Sequence, residues 1–191
     1  ATPQRGGTLM LSEQQRVRTL DPHVAFDVIS GSVAEMLFDR LYDYDAETQL
    51  RPRMAASMPV TSPDGKTLRI RLREGLRFQN GREIIAAYVV WSLERMLATR
   101  THSPGAPFFR SISGFDDYRG GKSEHLTGLR VLDRYEFEIV LSEADQTFVN
   151  LLAMNFATPV PREAVEALGA DFARHPVGSG PFRLVSWDPG V

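Results

Sequence analysis

Residues 62–97 (SPDGKTLRIRLREGLRFQNGREIIAAYVVWSLERML) constrain the fold more than any other stretch, because their apolar period switches from two to about 3.6. Ser62-Pro63-Asp64-Gly65 is a turn in which proline presets φ and glycine accepts a positive one. Leu68, Ile70 and Leu72 alternate with Arg69, Arg71 and Arg73, which predicts a strand with one apolar and one wet face. Gly75 and Asn80-Gly81 bracket a second short strand with Leu76 and Phe78. Ala86, Val89, Val90, Leu93, Met96 and Leu97 then share one helical stripe. Nothing in the module has the character of a catalytic group.

Composition narrows the class. A chain of 191 residues is one domain or a small pair; 42% hydrophobic and 24% charged residues are ordinary for a globular protein. A formal charge of −2, with arginines clustered only at 69, 71, 73 and 77, argues against a nucleic-acid partner. With no cysteine there is no disulfide, thiolate nucleophile or Cys-ligated metal, and no lipidated N-terminal Cys. Ala1, if close to the mature start, predicts a freely soluble protein, and Ala1 to Gly7 reads as the loose leader that follows signal cleavage. No apolar run approaches the ~20 residues that cross a bilayer.

Other elements follow from local pattern. Thr8 to Leu11 reads as a strand and Val28 to Leu41 as a helix with Asp27 as a candidate N-cap. Tyr42 to Tyr44 continues as a strand, and Met58 to Thr61 is expected to pair with Thr67 to Leu72. Val131 and Tyr135 to Leu141 read as a hairpin around Asp133-Arg134, with Glu136 and Glu138 on the wet face. Phe148 to Met154 and Arg162 to Leu168 read as helices, the latter with Pro161 near its first position and Gly169 as its stop. Phe182 to Trp187 reads as a strand before a turn at Asp188-Pro189-Gly190. With no returning strand, that turn reads as the mark of a fragment.

Candidate chemistry is sparse. His23, His102, His125 and His175 lack metal-ligand spacing, so no metal or cofactor is expected. Gly178-Ser179-Gly180 lacks the helix that follows a nucleophile elbow. A serine hydrolase using Ser179 or Ser103 with His102 or His175 is therefore an alternative without a motif. Phe108-Phe109, after Ser103-Pro104-Gly105-Ala106-Pro107, can wall a ligand cleft or plug the loop onto the core.

Six segments together resemble the family 5 extracellular solute-binding proteins, the dipeptide-, oligopeptide- and nickel-type receptors of ATP-driven importers. They are Gly7-Thr8-Leu9 with Leu20-Asp21-Pro22; Leu37 to Leu41; Leu50-Arg51-Pro52 with Ala55-Ala56-Ser57; the 62–97 module; Gly128 to Phe137; and Pro176-Val177-Gly178-Ser179-Gly180-Pro181-Phe182. The chain departs from the family where a Thr-Ala-acidic-Asp-Val cap is replaced by Ile85-Ala86-Ala87-Tyr88-Val89, leaving Asn80 or Glu83 to help that helix start. The resemblance implies an α/β, periplasmic-binding-protein type II-like fold with mixed β-sheets flanked by helices, of which this is the N-terminal portion. It further implies that residues 1–44 and 175–191 belong to the first ligand-binding lobe and 45–174 to a small extra α/β domain. The implied function is the non-enzymatic capture of a peptide-like or similar small solute in the periplasm, by a monomer that delivers it to ABC permease subunits and meets the membrane only through them. A bracing or partner-docking module is the remaining alternative. The implied ligand contacts are Phe26 and Asp27, in a loop that borders the ligand in relatives, the Phe108 and Phe109 wall, and Asn155. Asp27 can meet a ligand ammonium or cap the helix that begins there.

Overall fold

The alternation at Leu68, Ile70 and Leu72 builds the centre of the molecule. In the computed structural model, which describes residues 6, 8, 10–12 and 15–188, β4 (Thr67–Arg71) buries Leu68 and Ile70 and exposes Arg69 and Arg71. It lies between β3 (Val60–Thr61) and β6 (Glu136–Val140), with β5 (Leu129–Val131) beyond β6, in the order β3-β4-β6-β5. Leu68 faces Ile139, Ile70 faces Phe137 and Leu129 faces Ile139, which sets one apolar face. On the other face Arg69 opposes Glu138 and Arg71 opposes Glu136. A one-residue slip would expose the apolar set and break these charge pairs together. Glu138 lies on the outer face as expected, yet it is only 9% exposed, because Arg69 and Arg130 fold over it. β1 (Tyr42–Tyr44) and β2 (Leu50–Pro52) form a separate hairpin. Every strand pair among the described residues is antiparallel, so any parallel component of a mixed sheet lies outside these strands.

Helix α2 (Ala86–Leu97) covers the apolar face with Val89, Leu93, Met96 and Leu97, all fully buried. Each such side chain contributes roughly 1.5–3 kcal/mol on leaving water. Ile85 makes no capping side-chain bond, as its residue type predicts. Asn80 and Glu83 do not replace it: Asn80 reaches Glu163, and Glu83 accepts from Arg134 and Tyr135. The Arg134 carbonyl accepts the Ala86 N–H at 2.9 Å instead.

Several expected elements come out shorter or absent. Leu76 to Phe78 is not a strand; it folds back on 82–84 through one bridge, Arg77 to Glu83. α4 stops at Phe148–Leu151, while α5 (Arg162–Leu168) falls where the pattern put it, with Pro161 as its cap residue, and a further short helix, α3, spans Phe115–Arg119. Residues 182–187 have no strand beside them among the described residues and stay irregular. Thr8, Met10 and Leu11 are exposed and unpaired in any strand, while Gly7, Leu9 and the turn residues Pro189 and Gly190 lie outside the described residues.

Helix α1 (Val28–Leu37) ends four residues earlier than expected because another segment takes its last carbonyls. The N–H groups of Ser179 and Gly180 donate to Leu37 O at 3.1 and 2.9 Å, and that of Phe182 donates to Met36 O at 3.1 Å. The Asp39 N–H donates to the Ser179 hydroxyl at 3.0 Å. Orphan carbonyls at a helix end are thus met by chain some 140 residues away. The glycines allow the approach: a Cβ at 178 would sit 1.8 Å from Leu37 O, and one at 180 would sit 2.7 Å from Leu37 C.

A buried polar cluster ties the 20–25 loop to α2. Arg95 donates to both Asp21 carboxylate oxygens and, at 2.7 Å, to His23 Nδ1. His23 Nε2 donates to Thr158 O at 2.8 Å, so the ring is neutral with its proton on Nε2. Burial would raise the Asp21 carboxyl, but the hydrogen bonds and charge of Arg95, with His23 beside it, hold it below its ordinary value. For His23, burial and then the Arg95 charge outweigh the Asp21 carboxylate and push the imidazole from 6.5 down to about 4. Below pH 6.5 the unfolded chain gains a proton there that the folded chain refuses. Stability from this group is therefore complete above 6.5 and lost as pH falls toward 4, by on the order of 3 kcal/mol.

Two measurements check these contacts. Gly178→Ala is expected to lower unfolding free energy by roughly 2–4 kcal/mol in urea titrations, since backbone must move to admit the methyl; a change under about 0.5 kcal/mol would contradict the clamp. Urea midpoints from pH 7 to 4 should fall steeply for the parent and less for His23→Gln, which has no group to titrate; an equal slope in both would remove His23 as the cause.

Candidate functional site

The N-terminal end of α1 and the 154–156 turn face each other across an open cleft of about 410 Å³. The loop entering α1 supplies Phe26 and Asp27, the helix supplies Val28, Gly31 and Glu35, and Arg40 and Asn155 close the polar side. Phe26, Asp27 and Asn155 therefore line one cleft. Phe108 and Phe109 do not line this cleft. Phe109 is fully buried and meets Phe148 edge-to-face at 6.0 Å, while Phe108 is half-exposed elsewhere. That pair plugs its loop onto the core, because the Phe109 ring fills the space between the loop and α4.

Asp27 is the N-cap of α1. Its Oδ1 accepts the Ser30 N–H at 2.9 Å, and Gly31 N–H donates to its carbonyl at 2.9 Å. Slight burial would raise its carboxyl, but the Ser30 backbone and hydroxyl hold it below the ordinary value. It is thus an anion at neutral pH.

Arg40, which no local pattern marks, organises the polar wall. Its guanidinium donates to Glu35 and Asp43, each at 2.9 Å, and at 3.4 Å to Asn155 Oδ1. Asn155 Nδ2 in turn donates to the Gly31 carbonyl at 3.3 Å. An alanine at Gly31 would press its methyl on that amide. Arg40 and Asn155 thus tie the two sides of the cleft together. A charge three residues before Asp43 was the only available hint, and it carries no information about residue 155.

On the apolar side Phe26 is 70% exposed and lies stacked on Phe156, with centroids 6.4 Å apart and planes 23° apart. Phe156 is itself buried against Gly105, where a Cβ would fall 2.2 Å from its ring. The Ser103–Pro107 loop therefore supports the cleft from behind, through Phe156, with no direct contribution of its own aromatic pair.

Other hollows offer less free chemistry. Between α2 and α5, Glu163 is already held by Tyr88 at 2.9 Å and Asn80 at 3.0 Å, and Arg162 by Glu166 at 2.7 Å. The hollow beside Arg95 is walled by the same cluster that holds the 20–25 loop. The Ser179 hydroxyl accepts from Asp39 and the Ser103 hydroxyl from Gly105. Neither serine hydrogen-bonds to His102 or His175, so the residues named for a hydrolase do not assemble into a nucleophile and base. No group of three or more metal-ligating side chains occurs among the described residues, and no helix there is long and apolar enough to cross a membrane.

Comparison with known proteins agrees with this architecture. The family model for bacterial extracellular solute-binding proteins, family 5, matches residues 49–191. The glutathione-binding protein GsiB of Escherichia coli O1:K1 is 32% identical over 170 residues, 89% of this chain and 30% of that protein. Among solved structures, peptide-bound OppA of Listeria monocytogenes is 26% identical with a TM-score of 0.85, covering 92% of this chain and 35% of its own. OppA of Haemophilus influenzae in complex with RPPGFSPFR is also 26% identical, with a TM-score of 0.84, covering 91% and 35%. The chain spans about a third of the length of these relatives. On the match of three-quarters of its residues and the shared fold, the chain belongs to the family 5 bacterial extracellular solute-binding proteins.

Proposed function

We propose that the protein carrying this chain is the substrate-binding component of an ABC importer, which captures a peptide-like solute outside the cytoplasm and presents it to a membrane permease. The observation that carries this reading is the cleft at the start of α1, lined by an anionic carboxylate, a tethered amide and an exposed aromatic ring. Such a set recognises by charge, hydrogen bonding and shape, and requires no bond-making step. GsiB is a glutathione-binding protein and the Haemophilus OppA holds a nonapeptide. A peptide is the ligand chemistry common to both names.

In this reading residues 1–44 and 175–191 belong to a ligand-binding lobe and 45–174 to an extra domain that braces it. Two apolar clusters follow the division in outline, with Leu41 and Tyr42 packing into the larger one. The larger is built on the four-stranded sheet, and the smaller gathers Leu20, Ala34, Leu37 and Phe38. Val160 and Phe172 join the smaller cluster, so the α5 region forms the brace. The receptor works as a monomer in the periplasm and closes on its ligand by a shift in population between open and closed states.

Calorimetry on the whole receptor tests the reading with glutathione, tri-alanine and N-acetyl-tri-alanine. Binding of at least one unblocked peptide in the micromolar range is expected; no heat with any of them would overturn it. Asp27→Asn separates the two roles of that residue, because Asn caps a helix about as well as Asp but carries no charge. The variant should lose roughly tenfold in affinity for tri-alanine, about 1.4 kcal/mol, with its melting temperature unchanged. Unchanged affinity would leave Asp27 as a cap only.

A further inference from the structure

We propose that Phe26 sets specificity in the cleft, so that the receptor prefers peptides that place an aromatic or large aliphatic side chain against it. The inference rests on the peptide-binding reading and adds to it which side chains are selected. The backbone at Asp27 is extended, φ −72° and ψ 153°, and Phe26, Asp27 and Val28 line the hollow together. Phe26 is 70% and Val28 78% exposed, and both border the hollow. Other exposed apolar residues, such as Val60 and Val131, sit on the edge strands of the sheet and outside the hollow.

The ledge is built to stay open. Ala25 is buried on one side of Phe26, and the Asp27 cap fixes the chain on the other. Phe156 supports the ring from below and is itself seated against Gly105. A ring held this way loses little freedom when a ligand covers it.

The polar side of the cleft leaves the selection to this ledge. Arg40 is engaged by Glu35, Asp43 and Asn155, and Asn155 by Gly31. These groups are satisfied without a ligand, so a bound side chain gains little by displacing them. The uncovered aromatic and aliphatic surface is where a side chain removes the most apolar area from water.

The test measures binding of Phe-Ala-Ala, Ala-Phe-Ala, Ala-Ala-Phe and tri-alanine to the whole receptor by calorimetry. One Phe peptide is expected to bind at least about tenfold more tightly than tri-alanine. Phe26→Ala should reduce that ratio to under about threefold. Phe26→Leu should retain most of the preference and guards against a folding defect. The proposal is overturned if no Phe peptide is preferred, or if the ratio survives in Phe26→Ala. It is also overturned if that variant lowers the melting temperature with selectivity intact, the behaviour of a ring covered by another part of the receptor. Absence of binding to all four peptides would overturn the peptide reading and this inference with it.

Discussion

Burial of α2 on the inner face of β5 and β6 is the contact on which the candidate site depends. The helix places Leu93, Met96 and Leu97 in the core, and this orients its other flank toward the site. From that flank Arg95 holds Asp21 and His23, and Ser92 accepts the Val160 N–H at 2.9 Å. His23 then bonds to Thr158 O, so the loop before α1 and the chain after the 154–156 turn are joined twice, once through the helix and once directly. Both rims of the cleft are thereby held at a set spacing. An ion pair this deeply buried contributes little net energy, because desolvation offsets attraction; its effect is to specify which loop conformation is allowed.

Helix α1 is tied at both ends by unrelated means. Asp27 meets its first amides, and the Gly178–Phe182 segment meets its last carbonyls. A side chain at residue 178 would overlap Leu37 O, so the polar satisfaction of α1 depends on a missing Cβ some 140 residues downstream. Gly105 plays a similar part on the other rim by leaving room for Phe156. The cleft is thus shaped as much by where side chains are absent as by the groups that line it.

Local pattern was a good guide to some elements and a poor one to others, for identifiable reasons. The β4 alternation, the α2 stripe and the 162–168 helix were legible because each is encoded within a few turns or a single pleat. Leu76 to Phe78 and 182–187 misled because alternation reports a tendency to extend, whereas a strand also needs a neighbour to take its amides. Glu138 looked solvated by its place on the outer face, yet arginines from two neighbouring strands cover it. Phe108-Phe109 could be read by composition as a cleft wall or a plug; one ring entered the core and the other stayed half-exposed away from the cleft. Phe26 and Asp27 were legible through family resemblance, and Asn155 more faintly so. Arg40, Glu35 and Phe156 carried no signal of their own.

By itself the sequence determined the turns, the apolar face of the central strand, the principal helix and membership of a family, because these are written in residue type and short-range periodicity. Only the tertiary structure decided that Arg95 would meet Asp21 across 74 residues, His23 the Thr158 carbonyl across 135, and Arg40 the Asn155 amide across 115. It also decided that Phe26 would stay uncovered while Phe109 disappeared into the core. The physical reason is that hydrogen-bond and packing partners are chosen by proximity in space. Periodicity along a chain reports which face of an element is apolar, and carries no record of which distant residue that face will meet.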